Sequence, residues 1–331
     1  MTLNLLSQHY MWNQVFGSLD QRYLDWNQYC LPLINKIIAQ LPCDIMCFQE
    51  LESLVFSSQW QTTSRSTNTR CFTCTSSIRR IGGNKPVEHM DRVGIFVNRA
   101  RFDVQDHRQV VFRDYILQHK QMFDFTPDFS KHVVLRKKFG LLLKLLHKTN
   151  NQTVYVTNTH LYWLPFYNDV KLLQTKLLVN ELCRFIANDH CDPATANIVM
   201  CGDFSSTPDL MVYDFLAGKP LDVEHSEEFG NFYYGTVSEG EECVSELKNN
   251  LSILPAYSAL LKGECAEKLD FNSFSSSLTA VLDQIWFSSG NFQVCKLLGK
   301  VDPAYCANAL GFPDKQFPSD HIPVVAQLSY L

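Results

Sequence analysis

The chain has 331 residues, of which 46% are hydrophobic, and a formal net charge of −5. This length allows one large domain or two ordinary ones, and the hydrophobic fraction suffices for a large core. The negative balance argues against a long basic surface for nucleic acid, although a footprint of a few nucleotides on RNA is compatible with it. No run of about 18 apolar residues is present, so we expect no membrane span.

The start of the chain and its cysteines predict an intracellular protein. Met1 opens an apolar run like a strand already under way, which is compatible with a further segment upstream and lacks the features of a secretory signal. The 12 cysteines are irregularly spaced, which favours a reducing compartment, cytoplasmic or mitochondrial. Cys71 and Cys74 form the one CxxC pair, and without a second pair at zinc spacing we expect no structural zinc.

The first third of the chain predicts a helix followed by strands. Residues 31–41 carry apolar side chains at helical spacing with a proline in the first turn, and residues 45–48 read as a strand that ends near Glu50. Residues 57–86 are rich in Ser, Thr and Arg and predict a surface loop. Residues 92–97 return as a strand.

The middle of the chain predicts a hairpin, a long helix and another strand. Residues 139–147 and 153–157 are apolar runs around a polar break, which is typical of a hairpin. Residues 169–186 form the clearest helix, and residues 198–200 begin the next strand. The expected apolar stripe of this helix consists of Leu172, Leu173, Leu177, Leu178, Leu182 and Phe185.

Two later segments predict loops, and the whole pattern predicts one domain. Residues 223–243 are acidic and aromatic and suggest a surface excursion, while residues 273–277 suggest a serine-rich loop. Hairpins alternate with helix-connected strands, so the sheets should be mixed. We expect a single α/β domain over residues 1–331, with two mixed β-sheets packed face to face and helices outside.

Polar side chains recur at the ends of apolar runs along the whole chain. An apolar run of strand length that ends in a polar residue indicates a buried strand that delivers a side chain to a sheet edge. The residues delivered in this way are Asn4, Glu50, Asn158, His160, Asp203, Asp283, Asp320 and His321. Oxygen ligands with two histidines and no clustered cysteines favour a hard cation, Mg²⁺ or Mn²⁺, and a phosphate substrate.

Each of these residues also has an ordinary interpretation. Glu50 reads equally as an exposed loop carboxylate, His160 as a hydrogen-bonded core histidine, and Asp203 as a turn residue after glycine. Asp283 is harder to dismiss, because an unpaired carboxylate inside an apolar run is costly to bury. The prediction of one shared site therefore depends on the set as a whole.

Several motifs resemble one enzyme superfamily. The segments CFQE, NTHLYW, GDFSSTPD, LDQIWFS and PSDHIPVVAQ, in this order, resemble the exonuclease/endonuclease/phosphatase superfamily. The segments TLNLLSQHYMW and HMDRVGIFVN, and the pairing of THLYW with DVKLLQT, are similar to the carbon-catabolite-repressor-type deadenylase group. That group includes nocturnin, the Angel proteins and the yeast Ngl RNA exonucleases, and the Ngl branch is the most similar. The resemblance runs from Asn4 to Leu328.

The resemblance implies a four-layer α/β sandwich and a hydrolase. The implied activity is Mg²⁺-dependent 3′-to-5′ exoribonuclease action on the 3′ end of an RNA, with release of nucleoside 5′-monophosphates, and an adenosine-rich 3′ end is one candidate substrate. Mn²⁺ is an alternative ion, and one or two ions are both compatible with the motifs.

The resemblance also implies residue roles. Glu50 and Asp320 would bind metal, and Asn4 would orient the metal site. Asp203 would position or deprotonate the attacking water. Asp283 would orient His321, and both His321 and His160 would contact the scissile phosphate. Asn158, Pro165 and Leu278 are predicted to contact the substrate.

Two departures from the family pattern concern Leu278 and Ser205. Deadenylase relatives sandwich an adenine between a proline, here Pro165, and an aromatic ring. Leu278 stands at the aromatic position and forgoes stacking of about 1–3 kcal/mol per base, which weakens the case for strict poly(A) preference.

Ser205 stands where the family usually has Asn, and the loss of one donor can lower a rate by about 10²–10³-fold. Three readings stay open: Ser206 or a water takes over in a slower enzyme, the serine is an engineered change, or the protein binds RNA without cutting it. A phosphatase for a small phosphorylated nucleotide is a further alternative, motivated by Leu278 and the negative charge.

Overall fold

A computed structural model describes residues 1–52, 69–74, 92–223, 226–230, 232–234, 247–259 and 269–331. The α-helices are α1 (Asn13–Phe16), α2 (Leu31–Gln40), α3 (Phe112–Gln118), α4 (Asn168–Ala187), α5 (Met211–Leu216), α6 (Ala256–Ala259) and α7 (Pro303–Cys306). Short 3₁₀ turns span Gln8–Tyr10, Gln21–Leu24 and Lys120–Met122, and π-helical turns span Trp26–Cys30 and Phe129–Val134.

The strands form two large sheets within the described residues. They are β1 (Thr2–Asn4), β2 (Ile45–Gln49), β3 (Thr69–Cys74), β4 (Val93–Asn98), β5 (Phe102–Val111), β6 (Phe139–His147), β7 (Thr153–His160), β8 (Ile198–Asp203), β9 (Ile253–Pro255), β10 (Ser273–Phe274), β11 (Thr279–Ala280), β12 (Asp283–Ser288), β13 (Phe292–Leu297) and β14 (Ala326–Tyr330). One sheet has the order β1-β2-β4-β3 and the other β5-β6-β7-β8-β12-β9. Strands β10 and β11 pair with each other, as do β13 and β14.

Both large sheets are mixed, as predicted. The pairs β1–β2 and β7–β8 are parallel, and the other pairs within these two sheets are antiparallel. The pairing of β6 with β7 confirms the predicted hairpin.

Side-chain alternation along the central strands separates the layers. In β6, Leu141, Leu143 and Leu145 face the core between the two sheets, while Leu142 belongs to the core beneath α4. A strand buried on both faces reads as a continuous apolar run, which is the pattern of β6. Helix α2 covers the outer face of the four-stranded sheet through Ile34. The order helix, sheet, sheet, helix confirms the predicted four-layer fold.

Helices α2 and α4 match their predictions closely. Helix α2 has a proline in its first turn, and α4 buries the whole predicted apolar stripe. Helix α4 is also buried outside this stripe. Charged residues of the helix such as Lys171 lie inside the protein. Gly140 in β6 permits this close packing, since a Cβ atom there would lie 2.5 Å from the Leu178 Cδ1.

Three loop predictions are wrong in part. Residues 69–74 form edge strand β3, whose pairing with β4 was hidden by its polar composition. Phe229 and Tyr234, in the expected surface excursion, are buried in the core beneath α4. Ser273–Phe274 forms β10 and pairs with Thr279–Ala280, which leaves only a short turn. Most of the rest of the first two predicted loops lies outside the described residues.

The cysteines whose side chains the structure describes are free, and most of them pack as small hydrophobic residues. Cys47 and Cys201 lie in the core between the sheets, and Cys43 packs beside α2. Among the described residues, no helix is both long and apolar enough to cross a membrane.

Candidate active site

Three neighbouring strands of the six-stranded sheet deliver one row of polar residues. In the parallel pair β7–β8, His160 lies opposite Asp203, and in the antiparallel pair β8–β12, Asp283 lies opposite Asp203. Each of the three residues is at most 5% exposed. The row places the His160 Nε2 3.6 Å from the Asp203 Oδ2.

Gly202 lets the central strand of this row approach its neighbour. Its φ of +153° is rare for residues with a side chain, and a Cβ atom would lie 2.3 Å from the carbonyl oxygen of Thr159. The glycine before Asp203 is therefore required by the register that aligns Asp203 with His160.

The four-stranded sheet supplies Asn4 and Glu50 to the same place. The Asn4 Nδ2 donates to the Glu50 Oε1 at 3.1 Å and to the Asp203 Oδ2 at 3.0 Å. The Ser7 N–H donates to the Glu50 Oε2 at 2.7 Å. Asn4 thus ties the two sheets together at their polar edges, across 199 positions of sequence to Asp203.

Glu50 has a backbone conformation that is unusual for its residue type. Its φ is +57°, in the left-handed region, immediately after β2 ends at Gln49. Such a conformation costs about 1–3 kcal/mol for a residue other than glycine and persists only where neighbours hold it. The contacts from Asn4 and Ser7 hold the carboxylate in this position.

His321 completes the cluster from the C-terminal part of the chain. Its Nδ1 lies 2.6 Å from the Asp283 Oδ2, and its Nε2 lies 4.0 Å from the Asp203 Oδ2. The Ser319 Oγ fixes this segment by donating to the Asn4 carbonyl oxygen at 2.7 Å. Asp320 lies beside the cluster, half-buried, where the charges of His321 and Asp203 both act on it.

The charges in the cluster are strongly coupled. Burial opposes ionisation of Asp203, but His160, His321 and the hydrogen bonds from Asn4 and Ser205 outweigh it and lower its pKa to about 2. Burial raises the pKa of Asp283 to about 6. Burial also opposes the charged form of His321, yet the Asp283 carboxylate holds the pKa of this imidazole well above its usual range.

The donor set suits a hard divalent cation. Glu50, Asp203, Asp283 and Asp320 place four carboxylates together against two histidines, and a buried surplus of negative charge is costly unless a cation neutralises it. Donor atoms of Asp203, Asp283 and His321 lie within 4.8 Å of one another, and the buried Asp283 Oδ1 has no hydrogen-bond partner within the described part of the chain. Because Asp283 already binds His321, Glu50 and Asp320 remain the better candidate ligands.

Asn158 does not face this pocket as a substrate-binding residue should. Its Nδ2 donates to the carbonyl oxygens of Phe48 and Gly94, and its Oδ1 accepts from the Gln49 Nε2 at 2.6 Å. The side chain is fully buried, and its amide groups are engaged in joining the two sheets. We therefore interpret Asn158 as a structural residue, which corrects its predicted contact with substrate.

Ser205 lies against Asp203 in a strained conformation. The Ser205 N–H donates to the Asp203 Oδ1 at 2.8 Å, and its Oγ lies 3.3 Å from the same oxygen. The φ of Ser205 is +48°, in the left-handed region that asparagine adopts more readily than serine. The buried Ser206 Oγ lacks a hydrogen-bond partner among the residues described.

The two residues predicted to hold a base lie on separate surface loops. Pro165 is exposed in the loop after β7, and Leu278, 43% exposed, ends the turn between β10 and β11. The base sandwich between them stays a prediction.

Sequence reasoning missed Lys171 and Glu52. Lys171 is 2% exposed, and its Nζ donates to the Asn168 Oδ1 at 3.0 Å and contacts the Pro165 carbonyl oxygen at 3.5 Å. Burial lowers the pKa of this ammonium group to about 8, against the attraction of Asp203. Glu52 accepts from the Ser7 hydroxyl at 2.8 Å and so braces the segment that holds Glu50. A lysine within an apolar helix stripe was the available signal for Lys171.

Residues 1–321 match the model of the endonuclease/exonuclease/phosphatase family. The chain belongs to this family. Its membership confirms the predicted superfamily and enzyme class, a hydrolytic nuclease-type enzyme. It also agrees with the arrangement of the strand ends, because a hydrolase of phosphoesters needs a cation and donors around one phosphate.

Two yeast relatives are exoribonucleases by name. The chain is 29% identical to the Saccharomyces cerevisiae CCR4-Not complex 3′-5′-exoribonuclease subunit Ccr4, over 100% of this chain and 38% of that protein. It is 26% identical to the S. cerevisiae RNA exonuclease NGL1, over 100% of this chain and 92% of that protein. The chain spans only 36–48% of the length of the Ccr4 relatives from yeasts that it matches.

Solved structures support the fold. ANGEL2, described as a 2′,3′-cyclic phosphatase, superimposes with a TM-score of 0.75 and 22% identity, over 99% of this chain and 94% of that one. The human Nocturnin catalytic domain superimposes with a TM-score of 0.65 and 16% identity, over 99% of this chain and 93% of that one.

Proposed function

We propose that this protein hydrolyses RNA from the 3′ end with the help of a divalent cation, Mg²⁺ or Mn²⁺, and releases nucleoside 5′-monophosphates. The observation that carries the proposal is the Asn4 side chain, which joins Glu50 to Asp203 beside the paired Asp283 and His321. The names of the yeast relatives Ccr4 and NGL1 support the choice of RNA and of the 3′ end.

Glu50 and Asp320 would hold the cation, with Asn4 fixing the Glu50 carboxylate. When bound, a divalent cation supplies positive charge for the non-bridging phosphate oxygens. Asn4 and the Ser7 N–H bind different oxygens of Glu50, so the carboxylate reaches the pocket in a single orientation. A preorganised ligand of this kind avoids reorganisation during the reaction.

Asp203, His160 and His321 would act on the phosphate and the attacking water. The low pKa of Asp203 keeps this carboxylate ionised at neutral pH, so it accepts a hydrogen bond from water and orients it. His321, held charged by Asp283, donates to the phosphate as negative charge develops there. His160, on the other side of Asp203, provides a second donor.

The activity is tested with a short labelled RNA. With Mg²⁺, we expect nucleoside 5′-monophosphates to accumulate from the 3′ end, and EDTA to stop the reaction, with Mn²⁺ restoring it. Glu50→Gln should raise the Mg²⁺ concentration needed for half-maximal rate by about 10–100-fold, because it removes one charged ligand. Asp214→Asn is the matched control, since this carboxylate forms a surface ion pair with Lys219.

Two results would contradict the exoribonuclease. One is RNA that stays intact at high enzyme excess. The other is a rate that EDTA leaves unchanged. A normal Mg²⁺ requirement in Glu50→Gln would show that Glu50 does not bind the metal. This result would not contradict the exoribonuclease activity.

A phosphatase of small phosphorylated nucleotides is the second candidate. Leu278 favours it, because an aliphatic side chain at that position gives up the stacking that helps retain the base of a polymer. The described 2′,3′-cyclic phosphatase activity of ANGEL2 places such chemistry on a similar fold. Release of inorganic phosphate from a phosphorylated or cyclic nucleotide, without mononucleotides from RNA, would select this function.

Ser205→Asn should raise the rate of RNA hydrolysis by about 10–100-fold with little change in RNA affinity. The amide would restore a donor of the type that contributes about 10²–10³ in rate, and it suits the left-handed backbone at position 205. The measurements are kcat by single-turnover kinetics and Kd by fluorescence anisotropy. The variant Ser205→Gly accepts the left-handed backbone without adding an amide donor and serves as the control.

Ser205→Asn also distinguishes a slow enzyme from an RNA-binding protein without activity. No turnover in wild type or Ser205→Asn, together with retained RNA binding, would favour an RNA-binding scaffold over an enzyme. An unchanged kcat in an active enzyme would mean that no amide is missing at this position.

A further inference from the structure

A row of aromatic side chains lies on the surface, on the two chain segments that follow His160 and Ser7. The rings of Trp12 and Trp163 lie edge to face, with centroids 6.0 Å apart, and the Tyr162 ring follows Trp163 at 6.5 Å. We call Trp12, Trp163 and Tyr162 the aromatic row. Trp12 and Trp163 are 44% and 52% exposed, whereas Trp26 and Trp286 are buried.

Both ends of the aromatic row are attached to catalytic elements. Trp163 comes three residues after His160, which ends β7. Trp12 comes five residues after Ser7, whose N–H binds the Glu50 carboxylate. The aromatic row therefore lies where these two segments leave the pocket, on a path that a substrate strand longer than one nucleotide could follow.

The loop that carries Tyr162 and Trp163 is fixed by helix α4. The Tyr162 N–H donates to the Gln174 Oε1 at 3.0 Å, and Lys171 contacts the carbonyl oxygen of Pro165. Exposed tryptophans held on a rigid loop bind a planar ligand at a low cost in conformational entropy. The position of the rings thus suits binding better than it suits packing, since half of each indole faces solvent.

A cation extends the aromatic row on the Tyr162 side. The Arg136 guanidinium carbon lies 4.5 Å from the centre of the Tyr162 ring and 5.4 Å from that of Tyr167. The Arg136 Nε is buried without a hydrogen-bond partner in the described residues. Lys137 and Lys138 follow Arg136 directly in the sequence.

We propose that Trp12, Trp163 and Arg136 bind the nucleotides on the 5′ side of the scissile phosphate in single-stranded RNA. The bases would stack on the two indoles, and Arg136 would bind a phosphate of the same strand. Sequence-independent binding of single strands combines these two kinds of contact. The proposal rests on the proposed function, because it treats the pocket as the point where a strand ends.

The aromatic row would favour single-stranded RNA over small nucleotides as the substrate class. A mononucleotide or a cyclic phosphate would fill the pocket without reaching the aromatic row, whereas an RNA strand would use both. A short row fits the acidic net charge, since it allows a footprint of only a few nucleotides.

The test measures binding separately from cleavage. RNA of about eight nucleotides, with a 3′-terminal linkage that resists hydrolysis, is titrated with protein in Mg²⁺ and followed by fluorescence anisotropy. A second RNA carries abasic residues at the second and third positions from the 3′ end. The variants are Trp163→Ala, Trp12→Ala and Arg136→Gln, with Trp163→Phe as the conservative variant.

Stacking predicts a dependence on the bases. Trp163→Ala and Trp12→Ala should each weaken binding of the intact RNA by about 5–100-fold, and should change binding of the abasic RNA by less than about twofold. Trp163→Phe should restore most of the affinity. Arg136→Gln should weaken both RNAs and flatten the dependence of Kd on salt concentration. Leu254→Ala, at a side chain on edge strand β9 that is also 44% exposed, should leave all affinities unchanged.

Two results would overturn the proposal. One is wild-type affinity of both tryptophan variants for the intact RNA. The other is an equal loss of affinity for the intact and the abasic RNA, which would indicate general disruption of the loop. If wild type binds RNA in the base-dependent way but releases no mononucleotides, the proposed function fails and the binding surface stands. If wild type cleaves RNA while the tryptophan variants bind it normally, the binding surface fails and the proposed function stands.

Discussion

Asp203→Asn should lower the rate of RNA hydrolysis by about 10³–10⁴-fold while the protein stays folded. Asp203 is the centre of the cluster, where it accepts from the Asn4 amide and from the Ser205 N–H and lies between the two histidines. An asparagine keeps the size of the side chain and one acceptor oxygen, but it cannot carry the charge that orients water. The variant is measured by single-turnover cleavage of labelled RNA.

Folding and binding measurements accompany this variant. Asp203→Asn should retain a cooperative thermal transition at a lower midpoint, because a carboxylate whose pKa is lowered contributes stability that the neutral amide loses. Its affinity for uncleavable RNA should stay within about tenfold of wild type, since the aromatic row and Arg136 are unaltered. A kcat near the wild-type value would exclude Asp203 from the reaction.

Asp283→Asn should lower the rate by about 10²–10⁴-fold, with a loss that grows as the pH rises. The Asp283 carboxylate receives the His321 Nδ1 at 2.6 Å and raises the pKa of the imidazole, so that the charged donor persists at neutral pH. Without this charge the pKa of His321 falls. Its protonated fraction is then lost at a lower pH, and the alkaline limb of the rate profile moves toward acid.

The pH profile distinguishes this role from simple damage to the fold. Rates of wild type and Asp283→Asn are compared between about pH 6 and 9. The wild-type rate divided by the variant rate should be smallest at the acidic end and should increase as the pH rises. His321→Gln should lack this pH-dependent component altogether. A loss of rate that is equal at every pH would contradict the proposed support of His321 by Asp283.

The strand-end residues could be predicted because buried strands are apolar, so a charged residue within or at the end of such a run stands out in the sequence. Glu50, Asp203 and Asp283 interrupt or end apolar runs, and a charged residue there needs a partner. Their register across β7, β8 and β12 then follows from ordinary strand pairing. Helices α2 and α4 were predictable from a different pattern. Their apolar residues recur at helical spacing, because those residues face the sheets.

Other features depend on contacts that no local pattern encodes. Asn158 resembled a site residue, but its amide binds backbone carbonyls 64 and 110 residues away. Tyr234, in a polar and acidic segment, contributes to the core, and its hydroxyl donates to Asp169 at the start of α4. The left-handed backbone of Ser205 likewise emerges only when the turn after β8 is folded. Each of these requires the packing of distant segments.

We expect Glu50 to bind a divalent cation beside Asp203, Asp320 and His321. The decisive measurement is a crystal of the protein soaked with Mn²⁺ and an uncleavable dinucleotide, because anomalous scattering locates the ion. A peak about 2 Å from a Glu50 oxygen, with the phosphate between the ion and the two histidines, is the expected result. An ion that lies out of reach of both Glu50 oxygens would rule out this metal site.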